Sequence, residues 1–519
     1  MSESAGAVPD AAMRITVLLI ALAVGGCSGG RARGAVDGAA ADGGISTDAR
    51  TLDAPGSDLG APLDAATPPG TTRLLEGATL DGIAVFQGTR IALAASGTAL
   101  ATRNAPVVAL RDSLVRAYVT VSAPINVSAE LEVREGSRVV AVHRDVQAIT
   151  RSSREDDPST VLDFLVPGAE MTTTASVLVR LVDAAGTPET AAPHPARLPR
   201  DGSAIPVRAQ DDGAGLHLVL VPLAWDGDGS GRLPDTSPAW LDRVRALLLA
   251  LYPLVDLDLT LHAPVPWSDS LTFTGNVDFG AINAMLRDLR VADGAPNAAY
   301  YYALVAPASS YSAYCGGSCV TGQSYVVDNA ADGTFRVGSG VDFGTETSAW
   351  TLAHEVGHEY GRYHAPCSTS GADVDYPYAG GSIGAWGWDV RTGAFLAPTA
   401  TTDFMGYCDP TWISDYTWSA MFARTTATSA VSWRAPERSL LVRMGGEVGT
   451  VVVGERTLVP PTTRAHADYQ WTSGARVLAS GRAPVIVQSD GDERLVVLPS
   501  PPALADSVVI DGAVLALPR

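Results

Sequence analysis

Hydrophobic and polar residues alternate over short stretches in two separate parts of the chain. Between residues 72 and 212, five such stretches are separated by Gly, Pro and Asp, a pattern typical of strands with one buried face. These stretches are residues 114–121, 128–133, 138–142, 161–166 and 176–182. They predict an antiparallel β-sandwich over residues 72–212. Short strands return later and predict a small C-terminal β domain over residues 437–519.

Residues 215–430 differ, because short apolar runs typical of strands alternate there with longer segments whose apolar residues have helical spacing. Residues 216–223 predict a buried strand, and Ser237 followed by Pro238 marks the start of a helix that runs to about Tyr252. The other predicted elements are strands at 255–261 and 301–306, an edge strand at 323–327, and helices from Asp278 through Arg290, from Thr345 or Thr347 through Tyr360, and at 413–424. Strands and helices therefore follow one another in turn along this region.

The eleven residues HEVGHEYGRYH, at 354–364, carry the clearest chemistry in the chain. His354 and His358 are four residues apart, so on a helix their imidazoles share one face and can bind one ion. Gly361 permits a left-handed turn that returns His364 to the same point. Three imidazoles with one open position are typical of a catalytic zinc site, and Glu355 lies beside that position. The alternative is a chance pattern on a core helix, but three of only 8 histidines fall in this segment.

The string H-E-x-x-H-x-x-G-x-x-H resembles the zinc signature of the metzincin metalloproteases. The order of strands and helices in residues 215–430 also resembles that family. The resemblance implies an α+β metzincin-like catalytic domain, with a twisted mixed sheet and a zinc helix, and a methionine turn below the metal. Met405, within the sequence DFMGYC, matches that turn, and Tyr407 matches a tyrosine that some members place near the metal. A β domain ahead of the protease is similar to bacterial dictomallein-type secreted proteases. The residue after the third histidine is Ala365, which departs from the familiar subfamilies.

These residues predict a zinc-dependent endopeptidase that cleaves extracellular proteins, peptides or glycoproteins. Glu355 would act as the general base for attack by a zinc-bound water, with Tyr407 as an additional oxyanion donor. The predicted edge strand at 323–327 can hold an extended peptide through main-chain hydrogen bonds. Two alternatives stay open: a surface adhesin or glycan-binding lipoprotein with a degenerate protease fold, and a zinc amidase that acts on cell-wall peptides.

The N-terminal residues predict export. Residues 15–24 form a short apolar run after Met13 and Arg14, too short to span a bilayer, and the run leads into Gly25, Gly26 and Cys27. This arrangement resembles a bacterial lipobox, which implies a signal peptide over residues 1–27, lipidation of Cys27 and a membrane contact made only through that lipid. An ordinary secretory signal is the alternative. Residues 28–71 are rich in Ala, Gly, Asp and Pro and predict a disordered linker.

The remaining four cysteines predict two disulfides in an exported protein, with Cys315–Cys319 and Cys367–Cys408 as the preferred pairing among three. A thiolate zinc site is the alternative, but it leaves the three histidines unexplained. The formal net charge is −20 and the sequence contains no lysine, so nothing in it favours nucleic-acid binding. Residues 226–231, DGDGSG, begin like a Ca²⁺ loop but lack the later glutamate, which favours a glycine-rich turn.

Overall fold

The computed structural model describes residues 72–213, 215–317, 319–429, 437–446, 449–490 and 492–517. The predicted signal peptide, its predicted lipidation site Cys27 and the predicted linker at 28–71 lie outside these residues. Over the residues that are described, no helix is both long enough and apolar enough to cross a membrane.

Two sheets occupy the N-terminal part. Their strands are β1 (Arg73–Leu74), β2 (Ala78–Phe86), β3 (Arg90–Ala95), β4 (Thr98–Ala99), β5 (Ser113–Val121), β6 (Ile125–Glu135), β7 (Arg138–Ile149), β8 (Val161–Val166), β9 (Ala175–Val182), β10 (Thr187–Pro188), β11 (Arg197–Leu198) and β12 (Ile205–Pro206). One sheet has the order β4-β3-β2-β5-β8, and the other has β10-β1-β9-β6-β7 with β11 and β12 beside β9. In β6, the buried Val127, Ala129, Leu131 and Val133 alternate with partly exposed residues, as the period of a strand requires.

The central part contains the five α-helices that lie within the described residues. Its elements are β13 (Leu216–Trp225), α1 (Pro238–Leu251), β14 (Leu257–Leu261), β15 (Val265–Trp267), α2 (Phe279–Ala292), β16 (Ala299–Val305), α3 (Tyr311–Cys315), β17 (Gly322–Ser324), β18 (Val337–Val341), α4 (Glu346–Glu359), β19 (Gly387–Asp389), β20 (Ala394–Leu396), β21 (Thr402–Asp403), β22 (Thr411–Trp412) and α5 (Asp415–Ser429). Its main sheet has the order β14-β13-β16-β18-β17, and only β17, at the edge, is antiparallel to its neighbour.

The strand β18 was not predicted from the sequence, because its residues are Val-Gly-Ser-Gly-Val. Close packing accounts for both glycines. A Cβ added at Gly338 would lie 1.9 Å from Ser324 Oγ, and one added at Gly340 would lie 2.1 Å from Tyr302 Oη. The strand therefore fits between β16 and β17 only because Gly338 and Gly340 have no side chains. Its position in turn places β17 next to α4.

A separate sheet forms the C-terminal part. Its strands are β23 (Glu437–Met444), β24 (Val451–Leu458), β25 (His466–Ser473), β26 (Arg476–Val487), β27 (Arg494–Pro499), β28 (Ser507–Ile510) and β29 (Ala513–Ala516). They form an antiparallel sheet in the order β24-β23-β27-β26-β25-β28-β29. The connection between β26 and β27 extends toward the main sheet of the central part, where Gln488 bridges to Tyr325.

The N-terminal sheets share one hydrophobic core with α1, α4 and α5. Arg111 makes the most specific link. Its guanidinium, buried at this boundary, donates to the carbonyls of Leu249, Tyr252 and Leu254 at 2.5–2.6 Å. These carbonyls lie at the C-terminal end of α1, where carbonyl groups have no hydrogen-bond donor within the helix. Trp418 on α5 adds a second link by donating to Pro106 O at 3.0 Å.

Asp342 follows β18 and precedes α4, and it is 1 % exposed. Its carboxylate accepts from Gly344 N at 2.9 Å, but Oδ2 has no hydrogen-bond partner among the described residues. Burial raises the pKa of Asp342 from 3.8 to about 7. The folded state therefore holds a proton that the unfolded state releases between pH 3.8 and about 7, so this group's contribution to stability falls as pH rises through that range.

We expect Asp342→Asn to stabilise the protein relative to wild type at pH 8 but much less at pH 4.5. The benefit should grow by at most about 1.4 kcal/mol per pH unit and level off above about pH 7. Urea unfolding at the two pH values measures the difference. Asp256→Asn, at a carboxylate whose side chain is 89 % exposed, is the control and should show no such trend. An equal benefit of Asp342→Asn at both pH values would contradict the assigned pKa.

Candidate metal centre

The helix α4 carries two of the three histidines. It begins at Glu346 because the Thr345 side chain caps it, accepting from Ser348 N at 3.2 Å. It ends at Glu359, and Gly361 then adopts a left-handed conformation with φ of 79°. A Cβ at Gly361 would lie 2.5 Å from Val327 O, so only glycine fits the turn. The chain thus reverses at the position that the sequence pattern predicted.

Backbone carbonyls orient all three imidazoles. Each ring has its Nδ1 atom next to a carbonyl oxygen, and the pairs are His354 with Phe404 at 2.8 Å, His358 with Arg362 at 2.6 Å and His364 with Ser370 at 3.0 Å. A carbonyl oxygen only accepts, so each Nδ1 carries the ring proton. Each neutral ring consequently presents an Nε2 lone pair to the space between the three rings.

The pKa values of the two helical histidines favour neutral rings. Burial, together with the charge of His364, lowers the pKa of His354 to about 4 and lowers that of His358 well below its usual value. Their Nε2 atoms are 3.1 Å apart. With both lone pairs turned inward and no proton to share, these atoms repel each other unless a cation lies between them. Two nitrogens on one tetrahedral zinc at about 2.0–2.1 Å would be separated by roughly 3.3 Å, so the residues fit that ion.

The pKa of His364 shifts in the other direction. Burial alone would lower it, but the Asp490 carboxylate, with Oδ1 3.2 Å from Nε2, raises it above the ordinary value. The surroundings of this ring therefore stabilise a positive charge, whether it is a proton or a metal ion. The ligand atoms of the three histidines and Asp490 all lie within 4.8 Å of one another.

Glu355 lies beside the histidines and is 2 % exposed. A Cβ at Gly322 would lie 2.9 Å from Glu355 Oε1, so the strand β17 passes directly against this carboxylate. Ser489 Oγ donates to Glu355 Oε2 at 3.0 Å. Burial raises the pKa of Glu355 well above its ordinary value, and the nearby charge of Asp490 adds to the effect. The carboxylate therefore has an increased affinity for a proton.

Met405 lies beneath α4 and is 1 % exposed. A Cβ at Gly357, between the two helical histidines, would lie 2.4 Å from Met405 Sδ. Glycine at that position is what allows the methionine to reach the helix, and sequence reasoning did not identify it. Asp403 holds the turn, since its carboxylate accepts from Met405 N at 2.9 Å and from Ser414 N at 3.0 Å.

The loop of the third histidine is tied to the turn that contains Met405. Cys367 and Cys408 form one disulfide, and Cys315 and Cys319 form the other. Ala365 N donates to Met405 O at 3.0 Å alongside the first of these. Tyr407 is carried on the same turn, and its hydroxyl donates to His364 Nε2 at 3.0 Å. Tyr407 is thus within reach of any group bound at the three histidines.

We expect Asp403→Ala to weaken metal binding, because Asp403 fixes the turn whose Phe404 carbonyl orients His354. Loss of such an outer partner typically costs about 10–100-fold in metal affinity. Competition with a chromophoric chelator measures the change. Asp375→Ala removes an exposed carboxylate and is the matched control. Unchanged affinity in the folded Asp403→Ala protein would show that the turn does not position the ligand.

The remaining sequence-predicted residues lie away from this centre or outside the described part. Within residues 226–231, Asp228 accepts from Ser230 Oγ at 2.6 Å and pairs with Arg232 at 2.9 Å. Its carboxylate is therefore already occupied by partners from its own turn. Cys27 lies outside the described residues.

Ser489 and Asp490 are the site residues that sequence reasoning missed. They lie more than a hundred residues beyond the histidines, in a polar stretch of sequence of ordinary composition, SDGDE. No local pattern marks such a segment, and only the folding of the C-terminal sheet against the main sheet of the central part brings it to the candidate metal centre.

The fold and the imidazole cluster are those expected of a metallopeptidase, and the comparison with known families supports that class. Residues 279–411, from α2 through the turn after Met405, match the family model Peptidase M66, a family of metallopeptidases. The match includes His354, Glu355, His358 and His364 but ends before the C-terminal sheet. No curated protein matches the chain.

Proposed function

We propose that this protein is a zinc-dependent endopeptidase that cleaves extracellular proteins or glycoproteins. The observation that carries the proposal is the set of three inward-facing Nε2 lone pairs next to a buried carboxylate, Glu355. Three neutral imidazoles suit a catalytic zinc ion, and the match to Peptidase M66 supports a peptidase. When bound there, zinc would supply a Lewis acid that polarises a carbonyl and lowers the pKa of a water to about 7.

The chain's own residues supply the proton transfers. Glu355 takes a proton from the attacking water and delivers it to the leaving amine of the scissile bond. Its burial raises its pKa, which strengthens the carboxylate as an acceptor of the water's proton in the first step. The Tyr407 hydroxyl, 3.0 Å from His364 Nε2, can donate to the developing oxyanion at the same centre.

The edge strand β17 orients the substrate. Gly322 places its backbone against Glu355, so an extended peptide paired with β17 would run directly past the general base. Main-chain hydrogen bonds of this kind do not depend on the substrate's side chains, so they suit many peptide sequences. Two disulfides suit an exported protein, and we propose a cell-envelope lipoprotein anchored at Cys27 or an extracellular enzyme.

Cleavage of casein and mucin by the purified protein tests the proposed function. Overnight digests analysed by mass spectrometry should show new internal termini. These should disappear with a zinc chelator and return when zinc is added back. The products must also be absent with Glu355→Gln, which excludes a contaminating protease. Binding of mucin without any chelator-sensitive cleavage would favour the adhesin alternative instead.

A further inference from the structure

The connection between β26 and β27 lies along the edge strand that a substrate would use. Val326 N donates to Val487 O at 2.9 Å, and Ser489 N donates to Ser324 O at 2.7 Å. Between these bonds, Gln488 bridges to Tyr325 in antiparallel register. Residues 487–489 therefore extend the main sheet by one strand beyond β17. The main-chain groups of Ser324 and Val326 that would bind a substrate are already used by the chain itself.

Two side chains from this connection reach the catalytic groups. Ser489 Oγ accepts from Ser324 N at 2.9 Å and donates to the Glu355 carboxylate at 3.0 Å. The Asp490 side chain is 1 % exposed and points at the three histidines. Its Oδ1 atom has no hydrogen-bond donor among the described residues, although it lies 3.2 Å from His364 Nε2. A buried carboxylate oxygen that faces three imidazole lone pairs requires a cation.

Contacts on both sides hold the connection in place. Gln323 Nε2 donates to Ser489 O at 3.2 Å, and Gln488 Nε2 donates to Glu493 Oε1 at 2.8 Å. Glu493 pairs with Arg443 of β23 at 3.2 Å. Arg443 in turn pairs with Asp278, the residue that caps α2, at 2.8 Å. The segment is therefore built into the contact between the C-terminal and central sheets.

We propose that Asp490 is a fourth ligand of the metal and that residues 487–490 block the substrate-binding edge, so that the intact chain is a self-inhibited peptidase. The inhibition rests on the proposed function, whereas the ligand role does not. Three histidines and a carboxylate close the coordination sphere as in a structural zinc site, which leaves no open position for the reaction. At the same time Ser489 donates a hydrogen bond to the carboxylate of Glu355, the proposed general base. Activation requires residues 487–490 to leave the cleft.

Metal binding tests the ligand role without reference to activity. The full chain is loaded with cobalt(II), whose visible absorption reports on its ligands, and zinc affinity is measured by chelator competition. Asp490→Ala should change the cobalt spectrum and weaken zinc binding by about tenfold or more, since even outer-shell losses cost that much. Asp490→Asn, which keeps the shape of the side chain, should weaken binding less. Asp492→Asn is the control, because Asp492 is exposed and lies outside the site.

Peptidase rates test the inhibition on the same proteins, at zinc concentrations that saturate every variant. Without the Asp490 carboxylate as an anchor on the metal, residues 487–490 should leave the cleft more readily, so Asp490→Ala should cleave casein at least tenfold faster than wild type and than Asp492→Asn. An unchanged cobalt spectrum with unchanged zinc affinity in folded Asp490→Ala and Asp490→Asn would overturn the ligand role. A rate equal to or below that of wild type would overturn the inhibition. If no protein cleaves any substrate but the metal readouts change as expected, the ligand role stands and the peptidase function fails.

Discussion

Glu355→Gln is expected to lower the rate of peptide cleavage by about 10²–10⁴-fold, the usual contribution of a general acid–base group. Glutamine has the shape of the glutamate but cannot accept the proton of the attacking water. Zinc content should be unchanged, because the three histidines that bind the ion keep the carbonyl contacts that orient their rings. The measurement is the initial rate on a quenched fluorescent peptide, with zinc determined by elemental analysis.

Glu346→Gln is the matched control for this substitution. Glu346 lies on the same helix, at its first turn, where it accepts from the Trp350 indole at 3.1 Å and is partly exposed. The control should retain the wild-type rate. Substantial activity in Glu355→Gln, with full zinc content, would remove Glu355 from the role of general base and leave the mechanism without a proton acceptor.

His358→Ala is expected to produce the largest loss of metal. His358 lies at the centre of the cluster, with its Nε2 atom 3.1 Å from that of His354 and its Nδ1 proton held by Arg362 O. Removing one of three imidazoles should weaken zinc binding well beyond the roughly 10–100-fold cost of losing an outer partner. The protein should purify largely free of zinc and should lose peptidase activity. Chelator competition and elemental analysis measure both zinc affinity and zinc content.

His466→Ala controls for the loss of a histidine as such, because His466 is exposed at the start of β25. It should keep full zinc content. The His358→Ala protein should remain folded, since the surrounding helix α4 is packed in the core through Leu352, Ala353 and Val356. Retention of one zinc per chain in His358→Ala would mean that His358 is not a ligand and that the ion binds elsewhere.

Local patterns were enough to predict the parts of the site that lie close together in sequence. His354 and His358 are one helical turn apart, and the left-handed Gly361 needs no information from elsewhere in the chain. The start of α1 at Pro238 and that of α2 after Asp278 followed from capping residues alone. Met405 and Tyr407 required the resemblance to known proteases, because a methionine between a phenylalanine and a glycine is by itself ordinary core packing.

Contacts between distant segments could not be predicted in this way. Gly357 is needed only because Met405 Sδ occupies the space its side chain would fill, and Asp403 acts only through the turn it closes. Asp490 reaches the metal centre because two sheets from different parts of the chain meet at β17. Each of these depends on tertiary packing, which overrides or goes beyond local propensity.

The link made by Arg111 has a practical consequence for anyone who shortens the chain. A fragment that begins near residue 215 would lose the guanidinium that caps the carbonyls of Leu249, Tyr252 and Leu254. It would also expose apolar side chains of α1 and α5 that now face the first two sheets. Such a fragment should aggregate rather than fold. Expression vectors for this protein should therefore retain the N-terminal strands from residue 72 onward.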